Sequence, residues 1–155
     1  MMAYRLILQP RLLLFMPELR RARTDEIAPF VQHHERSALS SFYGFPTIWH
    51  QEAYDVAAFE GSKIVGVARV GVAASLAQIE RIIVAPDVRR QGIGRELIEM
   101  LADIANYYNC HKLCAQAVAD SPAEAFYAAC GISREAVLPQ HTFKCDIALL
   151  RRYLL

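Results

Sequence analysis

Three arginines and two glycines lie close together near the middle of the chain, and in combination they could bind an anion. The arginines are Arg89, Arg90 and Arg95, and the glycines are Gly92 and Gly94. Each guanidinium is a planar fork of donors that suits a phosphate group, and a glycine has no Cβ to keep a ligand away from the backbone. The cluster therefore predicts a phosphate site. The formal net charge of +1 provides no overall field that would attract nucleic acid.

The residues on either side of this cluster predict a strand, a turn and a helix. Residues 79–84 are rich in β-branched side chains, which favours a strand, and Pro86 and Asp87 are expected to end it. Apolar residues then recur at three-to-four spacing, at positions 93, 97, 98, 101, 104, 105 and 108, which predicts an amphipathic helix. The first turn of a helix has free N–H groups and partial positive charge, so we expect a phosphate on the backbone of residues 91–95.

Segment 89–94, Arg-Arg-Gln-Gly-Ile-Gly, resembles the acyl-CoA pyrophosphate signature of the GNAT superfamily of N-acetyltransferases, Arg/Gln-x-x-Gly-x-Gly/Ala. Segment 120–132 is similar to a second motif of that family, Asn-x-x-Ala-x-x-Phe-Tyr-x-x-x-Gly-Phe, with Asp120 in place of the usual Asn and Ile132 in place of the usual Phe. The resemblance covers about residues 18–150. It implies an α/β (α+β) GNAT fold, with a mixed, mostly antiparallel sheet of six to seven strands, about four helices, and central strands splayed for acyl-CoA.

The resemblance also implies acetyl-CoA as the cosubstrate. Backbone groups of Ile83, Val84 and Ala85 would then bind the pantetheine amide and polarise the acetyl carbonyl. The residues expected to contact the cofactor come from the central strand and the two motifs, and they are Ile82, Ile83, Val84, Arg89, Arg90, Gln91, Gly92, Ile93, Gly94, Arg95, Asp120 and Phe126.

Two side chains are candidates for proton transfer in the acetylation of an amine. Tyr127 matches the family's frequent general acid for the leaving thiolate, and a tyrosine hydroxyl with a pKa of about 10 holds its proton at neutral pH; the alternative is an aromatic residue packed beside Phe126. Glu80 is the candidate base, since a carboxylate in a central strand is costly when buried without a partner. The alternative is a structural ion pair. Arg81 is expected to lie on the opposite face of the strand unless a bulge intervenes.

The predicted activity is direct transfer in a ternary complex to a primary amine, of a small molecule or of a protein. The alternative is an acyl-CoA-binding sensor or regulatory module without turnover. An aromatic segment at residues 40–51 would either line the acceptor side or cap the core, through Phe42, Tyr43, Phe45 and Trp49. We expect no nucleic acid, membrane or metal partner, and a homodimer is implied only as a family habit.

Amino-acid composition and the number of cysteines limit the classes of protein to which the chain can belong. Hydrophobic residues make up 54% and charged residues 21% of the 155 residues, which predicts one folded domain with a substantial core. Four cysteines without an apparent secretory signal favour reduced thiols in the cytoplasm, and their spacing fits no common zinc pattern. We expect residues 1–17 to be an N-terminal extension, as an extra strand, a dimer contact or a disordered arm, ahead of an acetyltransferase domain over 18–155.

Turn and cap signals predict the remaining elements. The resemblance implies a first strand at about residues 18–22. Local signals then predict a helix capped by Thr24 or Asp25 and a β-hairpin over residues 54–72. Ser121 and Glu124 predict a second helix start with a capping box, and a left-handed glycine is expected at its end. Further strands are predicted at residues 112–119, 134–138 and 142–149.

Overall fold

The computed structural model describes residues 17–154, and the chain divides into two units, residues 1–47 and residues 48–155. The first unit contains helix α1 (Thr24–Tyr43), which ends at Gly44 in a left-handed conformation with φ of 76°. Arg23, one residue earlier than expected, is the N-cap. The strand predicted at residues 18–22 is wrong: these residues have no regular secondary structure, and Arg20 forms an ion pair with Glu26 in the first turn of α1.

The second unit is built on a mixed sheet. Its strands are β1 (Gln51–Glu60), β2 (Lys63–Ala73), β3 (Leu76–Val84), β4 (Lys112–Val118), β5 (Ser133–Leu138) and β6 (Ile147–Tyr153). In the described part of the chain they form one six-stranded sheet in the order β1-β2-β3-β4-β6-β5, in which only the β3–β4 pair is parallel. Helices α2 (Ile93–Tyr107) and α3 (Pro122–Ala129) follow β3 and β4. The predicted fold class and the β1–β2 hairpin are confirmed.

The core lies where α2 packs on the sheet. The predicted apolar stripe of α2 is buried at Leu97, Ile98 and Leu101, and alternate residues of β2 and β4 complete the core, among them Ala68, Val70, Val72, Leu113, Ala115 and Ala117. Burying a side chain of the size of leucine contributes about 1.5–3 kcal/mol, so this stripe fixes the start of α2 against the sheet. The last strand begins at residue 147 rather than 142, because residues 142–144 form a 3₁₀ turn.

Two irregularities in β3 shape the centre of the sheet. Strands β3 and β4 pair only from Leu76–Lys112 to Gln78–Cys114 and then separate, which leaves the rest of β3 without a neighbour on that side. The pairing of β3 with β2 also shifts register, because Arg69 faces Arg81 while Val70 faces Ile79. Glu80 is therefore the extra residue of a β-bulge.

Candidate active site

A cleft of about 1100 Å³ opens where β3 and β4 separate. It is lined by the end of β3, the turn into α2 and the face of α3, all in the second unit. Both predicted proton-transfer residues, Glu80 and Tyr127, line it, and so do all the expected cofactor contacts except Ala85, Gln91 and Asp120. The separated strands thus bring together residues that are 47 positions apart in the sequence.

The turn into α2 exposes backbone N–H groups to this cleft. Gly92 is the N-cap of α2 with φ of 91°, and Arg90 also has a positive φ of 67°. The carbonyl of Gly92 accepts the first helical hydrogen bond, from the N–H of Glu96 at 3.1 Å. The N–H groups of residues 90–95 have no acceptor among residues 17–154. An anion at this turn would therefore meet several donors that the protein leaves unused.

The two glycines of the turn have different physical roles. Gly92 requires its positive φ, and a Cβ added there would meet no described atom within 4 Å, so this position is open towards a ligand. Gly94 is helical, and a Cβ there would approach the ring of Phe126 to 3.1 Å. The missing side chain of Gly94 thus admits an aromatic ring of α3, a role that the motif alone did not indicate.

The arginines of the turn also differ. The Nε of Arg89 donates to the carbonyl of Val84 at 3.0 Å, which ties the turn to the end of β3. Arg90 and Arg95 line the cleft, and neither forms an ion pair within the part of the chain that the structure describes. Both guanidinium groups are available to an anion, and Arg89, which also lines the cleft, keeps the N–H donors of its two terminal nitrogens for the same purpose.

The unpaired edge of β3 supplies further backbone groups. The N–H of Ala85 donates to the carbonyl of Val65 on β2 at 2.9 Å. It is therefore not available to a ligand, contrary to the expectation from the sequence. Because successive residues of a strand direct their N–H and C=O groups to opposite sides, those of Ile82 and Val84 face the gap, and those of Ile83 face β2.

Tyr127 packs beside Phe126, as one of its two expected roles requires, and it also lines the cleft. Its ring packs 5.4 Å from that of Phe126, and the residue is only 7% exposed. Burial raises the pKa of the Tyr127 hydroxyl, with a smaller contribution from Cys130. The hydroxyl has no hydrogen-bond partner among the described residues, and no side-chain oxygen of these residues is both buried and unpartnered, so the hydroxyl is open to the cleft.

Glu80 has a partner that sequence reasoning missed. Its Oε2 accepts from the Nε of Arg69 on β2 at 3.0 Å, while Arg69 also pairs with Asp55 on β1. Arg81 contacts the same aspartate at 3.5 Å. The bulge brings Glu80 and Arg81 to one face of the sheet, so regular alternation does not hold here and the exception allowed for a bulge applies. The only sequence signal for this cluster was a charged residue in the interior of each hairpin strand.

Asp120 lies outside the cleft lining and has a structural partner. It occupies the turn between β4 and α3 with φ of 59°, and its carboxylate binds Arg134 at 2.7 Å. Arg134 also binds both carboxylate oxygens of Glu124, at 2.6 and 2.5 Å. The Arg134 guanidinium, together with the Asp120 N–H, lowers the pKa of Glu124.

The start of α3 is capped largely as expected. The Oγ of Ser121 accepts from the N–H of Glu124 at 3.3 Å, and Gly131 follows the helix with φ of 77°. The reciprocal half of the capping box is wrong, because the carboxylate of Glu124 accepts from the N–H of Asp120 at 2.7 Å instead of that of Ser121.

The remaining titratable groups form no further candidate centre. Across residues 17–154, no three His, Cys, Asp or Glu side chains are grouped to hold a metal ion. The four cysteines are free thiols, and burial raises the pKa of Cys110, Cys114 and Cys130. Of the helices in this range, none has the length and apolar character needed to cross a membrane.

Comparison with known proteins gives a family and a fold. A model of the acetyltransferase (GNAT) family matches residues 18–132. An acetyltransferase from Bacillus cereus ATCC 14579 superposes with a TM-score of 0.70 at 16% identity, over 91% of this chain and 100% of that one. The ribosomal-protein-S18-alanine N-acetyltransferase from Escherichia coli superposes with a TM-score of 0.57 at 20% identity, over 85% and 90%. No curated protein matches the sequence significantly.

Proposed function

The chain belongs to the acetyltransferase (GNAT) family and is an acyltransferase, and from this premise we propose that it transfers an acetyl group from acetyl-CoA to a primary amine. Acetyl-CoA is the cosubstrate of this family. The observation that supports the proposal most strongly is the turn at residues 89–95, which lines the cleft at all its residues except Gln91 and combines unused N–H groups with arginines that form no ion pair among the described residues. This donor set fits the pyrophosphate of the cosubstrate.

The edge of β3 suits the remainder of the cosubstrate. The N–H and C=O groups of Ile82 and the N–H of Val84 face the gap and can hydrogen-bond an amide of the pantetheine arm, as a neighbouring strand would; the carbonyl of Val84 already accepts from Arg89. An N–H on this edge can also donate to the acetyl carbonyl oxygen, which gains negative charge as the amine attacks. Since main-chain groups make these contacts, the side chains of this segment need only be apolar.

Two side chains account for the protons in a direct transfer. A C–N bond forms between the amine and the acetyl carbon, and the C–S bond breaks. Tyr127 gives its proton to the departing sulfur. Glu80 receives the proton that the amine loses, directly or through a water molecule. Holding the amine and the thioester together in the cleft supplies much of the remaining rate acceleration.

One observation keeps a second function open. The carboxylate of Glu80 is already bound by Arg69, as it would be in a domain that binds acyl-CoA without turnover. Release of free thiol from acetyl-CoA separates the two functions: we expect release that depends on an added amine, with the acetylated amine detected by mass spectrometry. Stabilisation by acetyl-CoA without amine-dependent release would establish the sensor instead, and no stabilisation at all would refute both.

The proposal also covers the acceptor substrate, the cellular location and the oligomeric state. We infer a primary amine of a small molecule or a protein, which a panel of amines and N-terminal peptides in the thiol-release measurement would identify. The free thiols of the described residues support a cytoplasmic protein. A homodimer is tested by sedimentation of the full chain with and without acetyl-CoA.

A further inference from the structure

The carboxylate of Glu80 lies against two residues of β2, Arg69 and Gly71. Arg69 and Gly71 are two residues apart on this strand, so both face the same side of the sheet. Arg69 donates to one carboxylate oxygen of Glu80 at 3.0 Å. A Cβ built on Gly71 would come within 2.4 Å of the other oxygen, Oε1, and 3.4 Å of Cδ. One neighbour thus binds the carboxylate, and the other leaves room for it.

The glycine at position 71 is explained by this room rather than by its backbone. Gly71 is absent from the residues with positive φ, so a larger residue could adopt its conformation. A glycine in the interior of a strand weakens the strand, because it orders a flexible residue and packs no side chain. The close approach of Glu80 accounts for a residue that the strand would otherwise disfavour.

The arginine is itself held in place from the next strand. Asp55 lies directly opposite Arg69 in the β1–β2 register, and the two form an ion pair. The Arg69 and Glu80 side chains are 34% and 41% exposed, and such exposed pairs contribute only about 0–1 kcal/mol to stability. The main consequence of the cluster is therefore orientation of Glu80, not stability of the sheet.

We propose that Arg69 and Gly71 are positioning residues that hold the carboxylate of Glu80 at the wall of the cleft, where it receives the proton of the acceptor amine. This inference rests on the proposed function of Glu80 as the base. It adds that the base depends on β2, outside both sequence motifs. Glu80 lines the cleft while its carboxylate is bound by Arg69.

A double-mutant cycle between Gly71→Ala and Glu80→Ala tests the proposal. On its own, Gly71→Ala displaces the carboxylate and should lower kcat by roughly ten- to hundredfold, with an unchanged KM for acetyl-CoA. In the Glu80→Ala background there is no carboxylate to displace, so adding Gly71→Ala should lower neither kcat nor Tm further. A purely structural role of Gly71 would give the same loss in both backgrounds, and that result would overturn the proposal.

Gly66→Ala is the matched control on the same strand. A Cβ at Gly66 would meet Ile93 and Leu97 of α2, at 3.1 and 3.2 Å, and not Glu80. We expect its effect on Tm and kcat to be equal with and without Glu80→Ala. Coupling of Gly66→Ala to Glu80→Ala as strong as that of Gly71→Ala would count against the proposal.

Arg69 gives a second test that does not depend on whether Gly71→Ala folds. Arg69→Gln should lower kcat without changing the dissociation constant of acetyl-CoA, and Arg69→Lys should retain more of kcat because it keeps a charged donor. Both effects should vanish in the Glu80→Ala background. If Glu80→Ala itself keeps the full kcat, the proposed base is wrong; if Glu80→Ala is impaired but Arg69→Gln and Gly71→Ala are not, only the positioning role is wrong.

Discussion

The first turns of α2 and α3 line the same cleft, yet one is open and the other is closed by side chains. The N-cap of α2 is Gly92, which has no side chain to accept a hydrogen bond. The start of α3 is closed by Ser121 and by the carboxylate of Glu124, which is bound in turn by Arg134. A carboxylate at a helix start satisfies donors and repels a second anion.

This difference indicates that the two turns have separate functions in the cleft. The open turn of α2 offers donors to a ligand, whereas the closed turn of α3 fixes the helix that carries Tyr127. Variants at the two turns should therefore separate binding of acetyl-CoA from turnover and from stability.

Blocking the open turn should give the largest effect. Gly92→Val puts a β-branched residue at φ of 91° and fills the approach to the N–H groups, so we expect the dissociation constant of acetyl-CoA to rise by about a hundredfold or more, equivalent to about 2.8 kcal/mol. Isothermal titration calorimetry of the wild type and the variant measures this dissociation constant.

Gly61→Val is the matched control for that variant. Gly61 has φ of 59° in the β1–β2 turn and no described atom within 4 Å of a built Cβ, so it carries a similar backbone strain away from the cleft. It should lower Tm but leave the affinity for acetyl-CoA unchanged. Equal losses of affinity in the two variants would mean that strain, not blockage, explains the result.

Removing the acid carried by α3 should lower turnover and spare binding. Tyr127→Phe keeps the ring packed but removes the hydroxyl, so we expect kcat to fall by about a hundredfold with a nearly unchanged dissociation constant for acetyl-CoA. Steady-state kinetics combined with titration separates the two. A variant with the turnover of the wild type would remove Tyr127 from the mechanism.

The pH dependence of turnover should reflect the burial of the same hydroxyl. Burial raises the pKa of Tyr127 above its ordinary value of 10, so the protonated form that donates persists to higher pH. We expect no loss of kcat from deprotonation of this acid below about pH 10. A basic limb well below pH 10 that disappears in Tyr127→Phe would contradict this.

Charge removal at the open turn should have a smaller effect than blockage. Arg90→Gln and Arg95→Gln each remove one charged donor, so we expect a loss of affinity of about tenfold, in line with about 1.5 kcal/mol for a charged hydrogen bond. The loss should shrink as salt is added. Lys112→Gln, which removes a charge at the start of β4 outside the cleft lining, serves as the control and should leave the affinity unchanged.

Opening the closed turn should affect stability alone. Arg134→Ala leaves Glu124 without its guanidinium partner, so Tm should fall while affinity for acetyl-CoA stays nearly the same. Because the native pKa of Glu124 is lowered from 4.5, its pairing stabilises the fold above about pH 4.5 and is lost as the pH falls. Thermal melts at several pH values should show a smaller loss on acidification for Arg134→Ala than for the wild type.

Features written in consecutive residues could be predicted from the sequence. The α2 stripe from Ile93, the left-handed glycine after α3 and the Ser121 cap are local patterns, and each is confirmed. The positions of the turn that line the cleft could also be predicted from the sequence. A glycine at a helix start leaves the backbone open to a ligand, and this effect does not depend on distant strands.

Features that depend on pairing between strands could not be predicted in the same way. The bulge at Glu80 is a register shift between β2 and β3, and one such shift reverses which residues share a face. The close approach of Glu80 to Gly71 and the ion pairs of Arg69 with Glu80 and Asp55 follow from that register. The absent strand at residues 18–22 was likewise a matter of partners, since Arg20 pairs with α1 instead.

The pyrophosphate site is tested most directly by backbone amide NMR of the full chain with coenzyme A and with pantetheine, which lacks the pyrophosphate. We expect coenzyme A to shift the amide resonances of residues 91–95 far more than pantetheine does, while the two ligands shift those of residues 82–84 to a similar extent. Equal shifts at residues 91–95 with both ligands would contradict a pyrophosphate site at the start of α2.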